Sequence, residues 1–173
     1  MHTLVIGIDP GLTGAMALFT NGVLTDIVDM PIDEHVARRS GAELRDLIGG
    51  RKESKRRSIN VAALVTRLRT WTDGHSALIV KEKMSTRPNQ NNTTLMKLDG
   101  ILTGVIGGIG IEMQEVEPAK WKLAMGVPAD KEKARQAAIT LFPAWKGLLN
   151  RKMDHNRAEA ALIGLYGIRH AAR

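Results

Sequence analysis

The chain has no cysteine in 173 residues, which excludes a disulfide scaffold, a thiolate zinc site and a cysteine nucleophile together. Aromatic residues make up only 3%, too few for a binding surface built mainly of base-stacking rings. No apolar run approaches the ~18 residues of a membrane span. Met1-His2-Thr3 leads straight into a strand-like segment, so neither a transmembrane helix nor a signal peptide is expected, and a soluble, cytoplasmic protein is. No residue type predominates, and there is no internal repeat or low-complexity tract. What remains is an ordinary globular composition, 43% hydrophobic and 25% charged, of a size that buries enough surface for one domain over residues 1–173. The charge is lopsided: 25 Lys and Arg against 18 Asp and Glu give a formal +7, so a polyanionic partner is expected.

Leu4 to Asp9 is a short apolar run closed by Pro10-Gly11, the pattern of a buried strand ending in an acid. Gly14 to Phe19 and Val23 to Val28 form a second and third strand, joined by Asn21-Gly22, the dipeptide of a tight type I′ hairpin. From Pro31 to Ser58 the apolar pattern is lost, and Arg51, Lys52, Lys55, Arg56 and Arg57 crowd its end. It reads as a long basic loop at about 31–58 with a short helix around Ala42 to Ile48. Asn60 caps a helix carrying Val61, Leu64, Val65 and Leu68 and ending near Asp73-Gly74. Ala77 to Glu82 is a fourth strand, again running out into an acid. Thr93 to about Gly108 is a helix whose Gly100, Gly104 and Gly107 allow close packing on a sheet. Ile111 to Glu117 alternates as an edge strand, Pro118 starts a short helix through Met125, Asp130 caps another through Leu141, and Asp154 opens a last one to about Ala172. The order is βββ, α, β, α, β, then helices, an α/β class with three antiparallel strands.

The acids fall where chemistry can use them. Metal-dependent phosphodiester cleavage requires several carboxylates converging on two divalent ions roughly 3.5–4 Å apart, and all-oxygen ligands select Mg²⁺ or Mn²⁺. Asp9 ends the first strand, Glu82 the fourth, and Asp154 and Glu159 lie at the start of the last helix. If the first and fourth strands are parallel neighbours, their acids emerge at one sheet edge. The plainer readings are that Asp9 forms a turn, Glu82 belongs to a solvated Lys81-Glu82-Lys83 cluster, and Asp154 is an N-cap. Glu159, set among Ala158, Ala160 and Ala161, is harder to place without a partner. His155 shares a helical face with it and is either a general base or ligand, or a capping or phosphate-facing histidine.

Ile6-Gly7-Ile8-Asp9-Pro10-Gly11-Leu12-Thr13-Gly14 resembles the opening motif of RuvC-type Holliday junction resolvases, a branch of the ribonuclease H-like nucleases, most closely the phage-borne forms. Further similarities follow in order: Glu82-Lys83 with Ser85 to Gln90, Val116 to Lys122 with Gly126, Lys131 to Arg135 with Leu141-Phe142-Pro143, and Asp154 to Ala160. The resemblance covers nearly the whole chain except roughly Pro31 to Ser58. It implies a ribonuclease H-like five-stranded mixed sheet, three antiparallel strands then parallel ones, flanked by helices. It also implies a homodimeric endonuclease that nicks four-way DNA junctions symmetrically, with two Mg²⁺ or Mn²⁺ ions per site held by Asp9, Glu82, Asp154 and Glu159. The pattern departs at one point: the family carries an acid or histidine three residues before its last ligand, where this chain has Asn156. Asp154 is five residues before Glu159, about 140° around an ideal helix, and reaches the same ion only from the cap, leaving His155 as the other candidate.

Junction binding calls for cations on phosphates. The candidates are Arg51, Lys52, Lys55, Arg56 and Arg57 in the basic loop, Lys81 and Lys83 beside the acids, Arg87, and Lys120 and Lys122. Asn89 to Thr94, ahead of a helix N-terminus, offer backbone N–H groups to a phosphate. The loop from Gly49 to Ser58 is expected to order on DNA. Trp121 and Trp145 read as core anchors rather than stacking rings. Two other classes compete. Asp9 to Gly14 also looks like the phosphate motif of sugar kinases and actin-like ATPases, although those need a second such domain and a nucleotide, and no nucleotide cofactor is expected here. A catalytically impaired protein that binds branched DNA without cutting it is the other, on account of Asn156.

Overall fold

The computed structural model describes residues 3–37, 54–84 and 93–171. Strands β1 (Leu4–Asp9), β2 (Ala15–Thr20) and β3 (Val23–Asp29) form the antiparallel meander. Asn21 and Gly22 both have positive φ, 52° and 81°, as the tight turn between β2 and β3 requires. Helix α1 (Val61–Thr72) carries the chain across to β6 (Ala77–Glu82), which pairs parallel to β1. Helix α2 (Thr93–Gly108) repeats the move to β7 (Glu112–Val116), parallel to β6. The sheet order is β3-β2-β1-β6-β7. All six residues of β1 are buried, because helices cover both faces of the central strands.

Alternation along the strands divides the core in two. Leu4, Ile6, Ile8, Ala77 and Ile79 face α1 and α2, meeting Leu64, Leu68, Leu102 and Ile106. Val5, Leu78 and Val80 face the opposite way, toward α6 (His155–Tyr166), where Ala158, Ala161 and Leu162 complete the layer with α4 (Lys131–Leu141). The sheet brings α6 unusually near. A methyl group on Gly7 would lie 2.1 Å from the Ala160 carbonyl oxygen and 2.3 Å from the Gly164 nitrogen, and one on Gly164 would lie 2.6 Å from the Phe19 ring. Only hydrogen at both positions lets helix and strand backbones touch. Helices α3 (Pro118–Ala124) and α5 (Lys146–Leu149) lie against α6. Asn60 and Asp130 cap α1 and α4 by accepting from the Ala63 and Lys133 backbone at 2.8 and 2.9 Å, as expected of them.

Three expectations are corrected. Residues 31–58 are not simply a loop. β4 (Ile32–Ala37) pairs antiparallel with β5 (Ser54–Ile59) as a separate two-stranded ribbon, with Glu34 opposite Arg57 and His35 opposite Arg56. Its cross-strand partners are charged and distant in sequence, so no apolar alternation announces it. The helix foreseen around Ala42 to Ile48, and residues 49–53 of the segment expected to order on DNA, lie outside the described residues; Ser54 to Ser58 are already strand. Gly100, Gly104 and Gly107 do not pack on the sheet: among the described residues nothing lies within 4 Å of a methyl group built on any of them, and α2 buries Leu98, Leu102 and Ile106 instead. The last helix begins at His155 and ends in a π-helical turn, Gly167–Ala171.

Candidate active site

In the parallel pairing of β1 with β6, Ile8 stands opposite Lys81. Asp9 and Glu82 follow next on their two strands, where this pairing ends. Alternation sends both side chains to the α6 face, as it does Val5 and Val80. Helix α6 runs back along β1, its Ala160 carbonyl over Gly7 and its first turn over the end of the strand. There Asn156 Nδ2 donates to the Thr13 carbonyl and to Thr13 Oγ1 at 3.2 Å. Thr13 belongs to a tight turn in which Gly14 N donates to the Gly11 carbonyl at 3.0 Å. A methyl group on Gly14 would sit 2.2 Å from the Asp9 carbonyl oxygen, so this turn, which carries the acid, closes only on glycine. Glu159, 5% exposed, is thereby held in the same electrostatic field as Asp9, 8% exposed, and half-buried Glu82.

The field is crowded. Burial pushes the Asp9 carboxyl well above the usual aspartate range, and the charges of Glu159 and Glu82 push it further; Lys131 and Lys122 oppose them incompletely. Burial and Glu159 also raise Glu82, against a hydrogen bond from Trp121 Nε1 at 2.6 Å and the same two lysines. Lys122 Nζ holds Glu159 at 2.8 Å while lying 5.1 Å from the Trp121 ring centre. Trp121 itself is fully buried, the anchor it was expected to be, and Trp145 Nε1 donates to the Leu24 carbonyl at 3.2 Å.

Asp154 stands differently. Although only 3% exposed, it turns to arginine: the Arg151 backbone N–H and Nη2 both donate to it at 2.8 Å, and Arg157 Nη1 lies 3.7 Å away. Burial works to raise its pKa, but the Arg151 hydrogen bonds prevail and hold it below the usual range. It does not cap α6 by its side chain, and Arg157 continues the network to Asp29 at 2.6 Å. His155 Nδ1 is 3.1 Å from the Lys152 carbonyl. The structure thus gathers Asp9, Glu82 and Glu159, and commits Asp154 and His155 to the turn before α6.

The proposed cations scatter. Arg51, Lys52 and Arg87 lie outside the described residues, as do Asn89 to Asn92; of Lys55 only its place in β5 is described. Lys81 is corrected outright: it is fully buried on the α2 side of the sheet, paired with Asp99 and, at 2.6 Å, with Glu115. Strand alternation that aims Glu82 at α6 aims its neighbour away, out of reach of a phosphate. Lys83 pairs with Glu117 at 2.7 Å, Arg57 with Glu34 at 2.8 Å, and Lys120 and Arg56 are exposed. Two contributors escaped sequence reading: Lys131, whose charge reaches Asp9 and Glu82, and Trp121 as a donor to Glu82. Both stand within the motifs quoted above, but nothing in their spacing tells that they meet the acids.

The donors fit a hard divalent cation in kind and in charge, being carboxylates held close with too little positive charge to balance them. Their spacing is not that of a formed cage: among the described residues no three acidic or histidine side chains stand where one metal ion would touch them all. Glu82 and Glu159 give oxygens to Trp121 and Lys122 instead.

Set against solved structures, the chain is similar to Thermus thermophilus RuvC in complex with a Holliday junction substrate, with a TM-score of 0.52 and 17% identity over 97% of this chain and 94% of that one. A second structure of Thermus thermophilus RuvC gives 0.49 and 15% over 97% and 96%. At 17% identity the first of these speaks for the fold alone, which is ribonuclease H-like with the strand order β3-β2-β1-β6-β7. No family model and no curated protein matches the chain.

Proposed function

We propose that this protein is a metal-dependent endodeoxyribonuclease that binds branched DNA, four-way junctions above all, and nicks two strands symmetrically as a homodimer in the cytoplasm of a bacterial or phage-infected cell. The observation that carries this reading is the set of three acids, Asp9, Glu82 and Glu159, repelling one another at one edge of a ribonuclease H-like sheet. The similar solved protein, Thermus thermophilus RuvC, was determined with a Holliday junction substrate. Among the described residues no helix is long and apolar enough to cross a membrane.

Asp9, Glu82 and Glu159 are the residues that would hold Mg²⁺ or Mn²⁺. A divalent cation held there would supply positive charge for a phosphodiester and would lower the pKa of a water for its hydrolysis. The chain's own part is positional. Trp121 fixes one Glu82 oxygen, and the latch from Asn156 to Thr13 keeps Glu159 over the strand end. Lys122 and Lys131 bring positive charge to a place where scissile phosphate would add negative charge. Lys122 must leave Glu159 for that acid to serve as a ligand, and the incoming phosphate offers it another anion.

A second reading, a branched-DNA-binding protein that does not cut, draws on Asn156 spent on Thr13 and Asp154 spent on arginines, which leaves three acids where the resemblance implies four. Incubating an end-labelled four-way junction with the protein and Mn²⁺ separates the two. Paired nicks at symmetric positions are expected; an undigested junction that only shifts in a native gel overturns the nuclease.

A further inference from the structure

The β4–β5 ribbon stands outside the five-stranded sheet, yet it is rooted at the edge that carries the acids. Asp9 is in register with Ala15, and Ala15 with Asp29, the last residue of β3. The ribbon therefore leaves the sheet two strands from Asp9, about 10 Å across at the usual strand spacing. Its root is firmly held. Met30 N donates to the Gly14 carbonyl at 2.8 Å, Asn60 N to the Pro31 carbonyl at 2.9 Å, and Asn60 Nδ2 to Asp33 at 2.8 Å, while Ile59 is buried in the α1 side of the core. Beyond the root, Glu34, His35, Val36, Arg56 and Arg57 are all exposed. An isolated two-stranded ribbon has too little core to be stable by itself, so this one is held in register by its root.

Alternation gives the ribbon two unlike faces. Ile32 and Ile59 begin one, and Glu34 and Arg57 continue it, joined in an ion pair at 2.8 Å. The other carries Asp33 with Ser58 and His35 with Arg56. On this second face Asp33 is engaged by Asn60, and His35 shares a hydrogen bond with Ser58 at 3.3 Å. Arg56 has no carboxylate partner among the described residues. The neighbouring arginines are thus distinct, Arg57 paired with Glu34 and Arg56 without a carboxylate partner among the described residues, and they point opposite ways.

We propose that this ribbon is a DNA-gripping arm that seats on the phosphates of the duplex flanking the scissile bond, with the Arg56 face inward and the Arg57 face outward. A two-stranded ribbon has the dimensions of a B-DNA groove, and an exposed guanidinium beside a hydrogen-bonded histidine and serine is the complement of a phosphate rail. The proposal rests on the branched-DNA reading and adds to it which part of the chain holds the duplex.

The test is binding of a fluorescent four-way junction in Ca²⁺, at several KCl concentrations, to the wild type, Arg56→Ala, Arg56→Lys and Arg57→Ala. Loss of one phosphate contact lowers the slope of log K against log salt by about one and costs roughly three- to tenfold in affinity. That loss is expected for Arg56→Ala, with Arg56→Lys recovering most of it and Arg57→Ala changing affinity less than about twofold, since the Arg57 face is turned away from the duplex. Equal penalties at the two positions, or none at Arg56, overturn the arm. Nicking by the wild type in Mn²⁺ is scored separately. Cleavage with equal arginine penalties rejects the arm alone; tight binding with the Arg56 penalty but no cleavage supports the arm and rejects the nuclease. A wild type that binds no DNA rejects both.

Discussion

Asp9 and Asp154 are the same residue type, nearly equally buried at 8% and 3% exposed, and their carboxyl groups are driven in opposite directions. Around Asp154 two arginines and a backbone N–H supply every charge and hydrogen bond it needs, and its network closes on Asp29. Around Asp9 stand two further acids and two lysines, one of the lysines already bound to Glu159. Burial alone therefore does not separate a structural acid from a reactive one. What separates them is whether the surroundings complete the charge or leave it over. A surplus of negative charge in a desolvated place persists in a fold when something outside the chain balances it, and a divalent cation or the approach of a phosphate with its ions does so. The pair on either side of β6 makes the same point. Lys81 is wholly buried but closed off by Asp99 and Glu115, which reach solvent at 38% exposure each, whereas its neighbour Glu82 faces other acids.

The contrast is broken or sharpened most forcefully by exchanging each aspartate for asparagine. Asp9→Asn is expected to abolish junction nicking, by about three orders of magnitude or more, while junction binding is kept or tightened because a negative charge beside the phosphate is gone. Asp154→Asn should keep nicking within about tenfold at a temperature where it is folded. Single-turnover cleavage of the labelled junction measures both, and a loss at Asp154 equal to that at Asp9 would place the arginine-bound acid back among the ligands.

Stability should divide the two in sign. Asp154→Asn removes the charge that Arg151 and Arg157 share and is expected to cost about 1–3 kcal/mol in urea unfolding, held to that range because Arg151 is well exposed. Asp9→Asn relieves repulsion and is expected to stabilise the metal-free protein by on the order of 1 kcal/mol at neutral pH. Millimolar Mg²⁺ should raise the melting temperature of the wild type more than that of Asp9→Asn. A destabilised Asp9→Asn would contradict the crowding.

Much of the gathering of acids is legible in the residues themselves. Leu4 to Asp9 and Ala77 to Glu82 are apolar runs with an acid at the exit, Asn21-Gly22 dictates the turn that orders the meander, and Glu159 is an acid set among Ala158, Ala160, Ala161 and Leu162. Local periodicity and turn chemistry carry that information. The rest depends on distant pairing. Arg151, three residues before Asp154, gives no sign that its guanidinium folds back on the carboxylate, and Lys81 looks like a surface cation until Asp99 and Glu115 meet it from two other elements. The β4–β5 ribbon is hidden for the same reason, since its strands read as charged loop until Glu34 is set opposite Arg57. The glycines of α2 mislead in the other direction: small residues permit a close approach, but the buried row is Leu98, Leu102 and Ile106.

The smallest expected effect, and the most specific to the contrast, is its dependence on pH. Asp9 has a folded-state pKa raised above its unfolded value near 3.9, so the native protein binds the proton more tightly than the unfolded chain does. Its relative stabilisation is complete below about pH 4 and is lost as pH rises through the raised folded-state value. Asp154 has the opposite shift. Its contribution is complete above about pH 4 and is lost as pH falls through its depressed folded-state value. The gain from Asp9→Asn in the metal-free protein should therefore grow between about pH 4 and neutrality, whereas the loss from Asp154→Asn should be constant over that range and shrink only in stronger acid. Urea unfolding of the two variants and the wild type at steps from about pH 3 to pH 8 reads both trends, and parallel curves for the two variants would show that their carboxyl groups do not differ as the surrounding charges require.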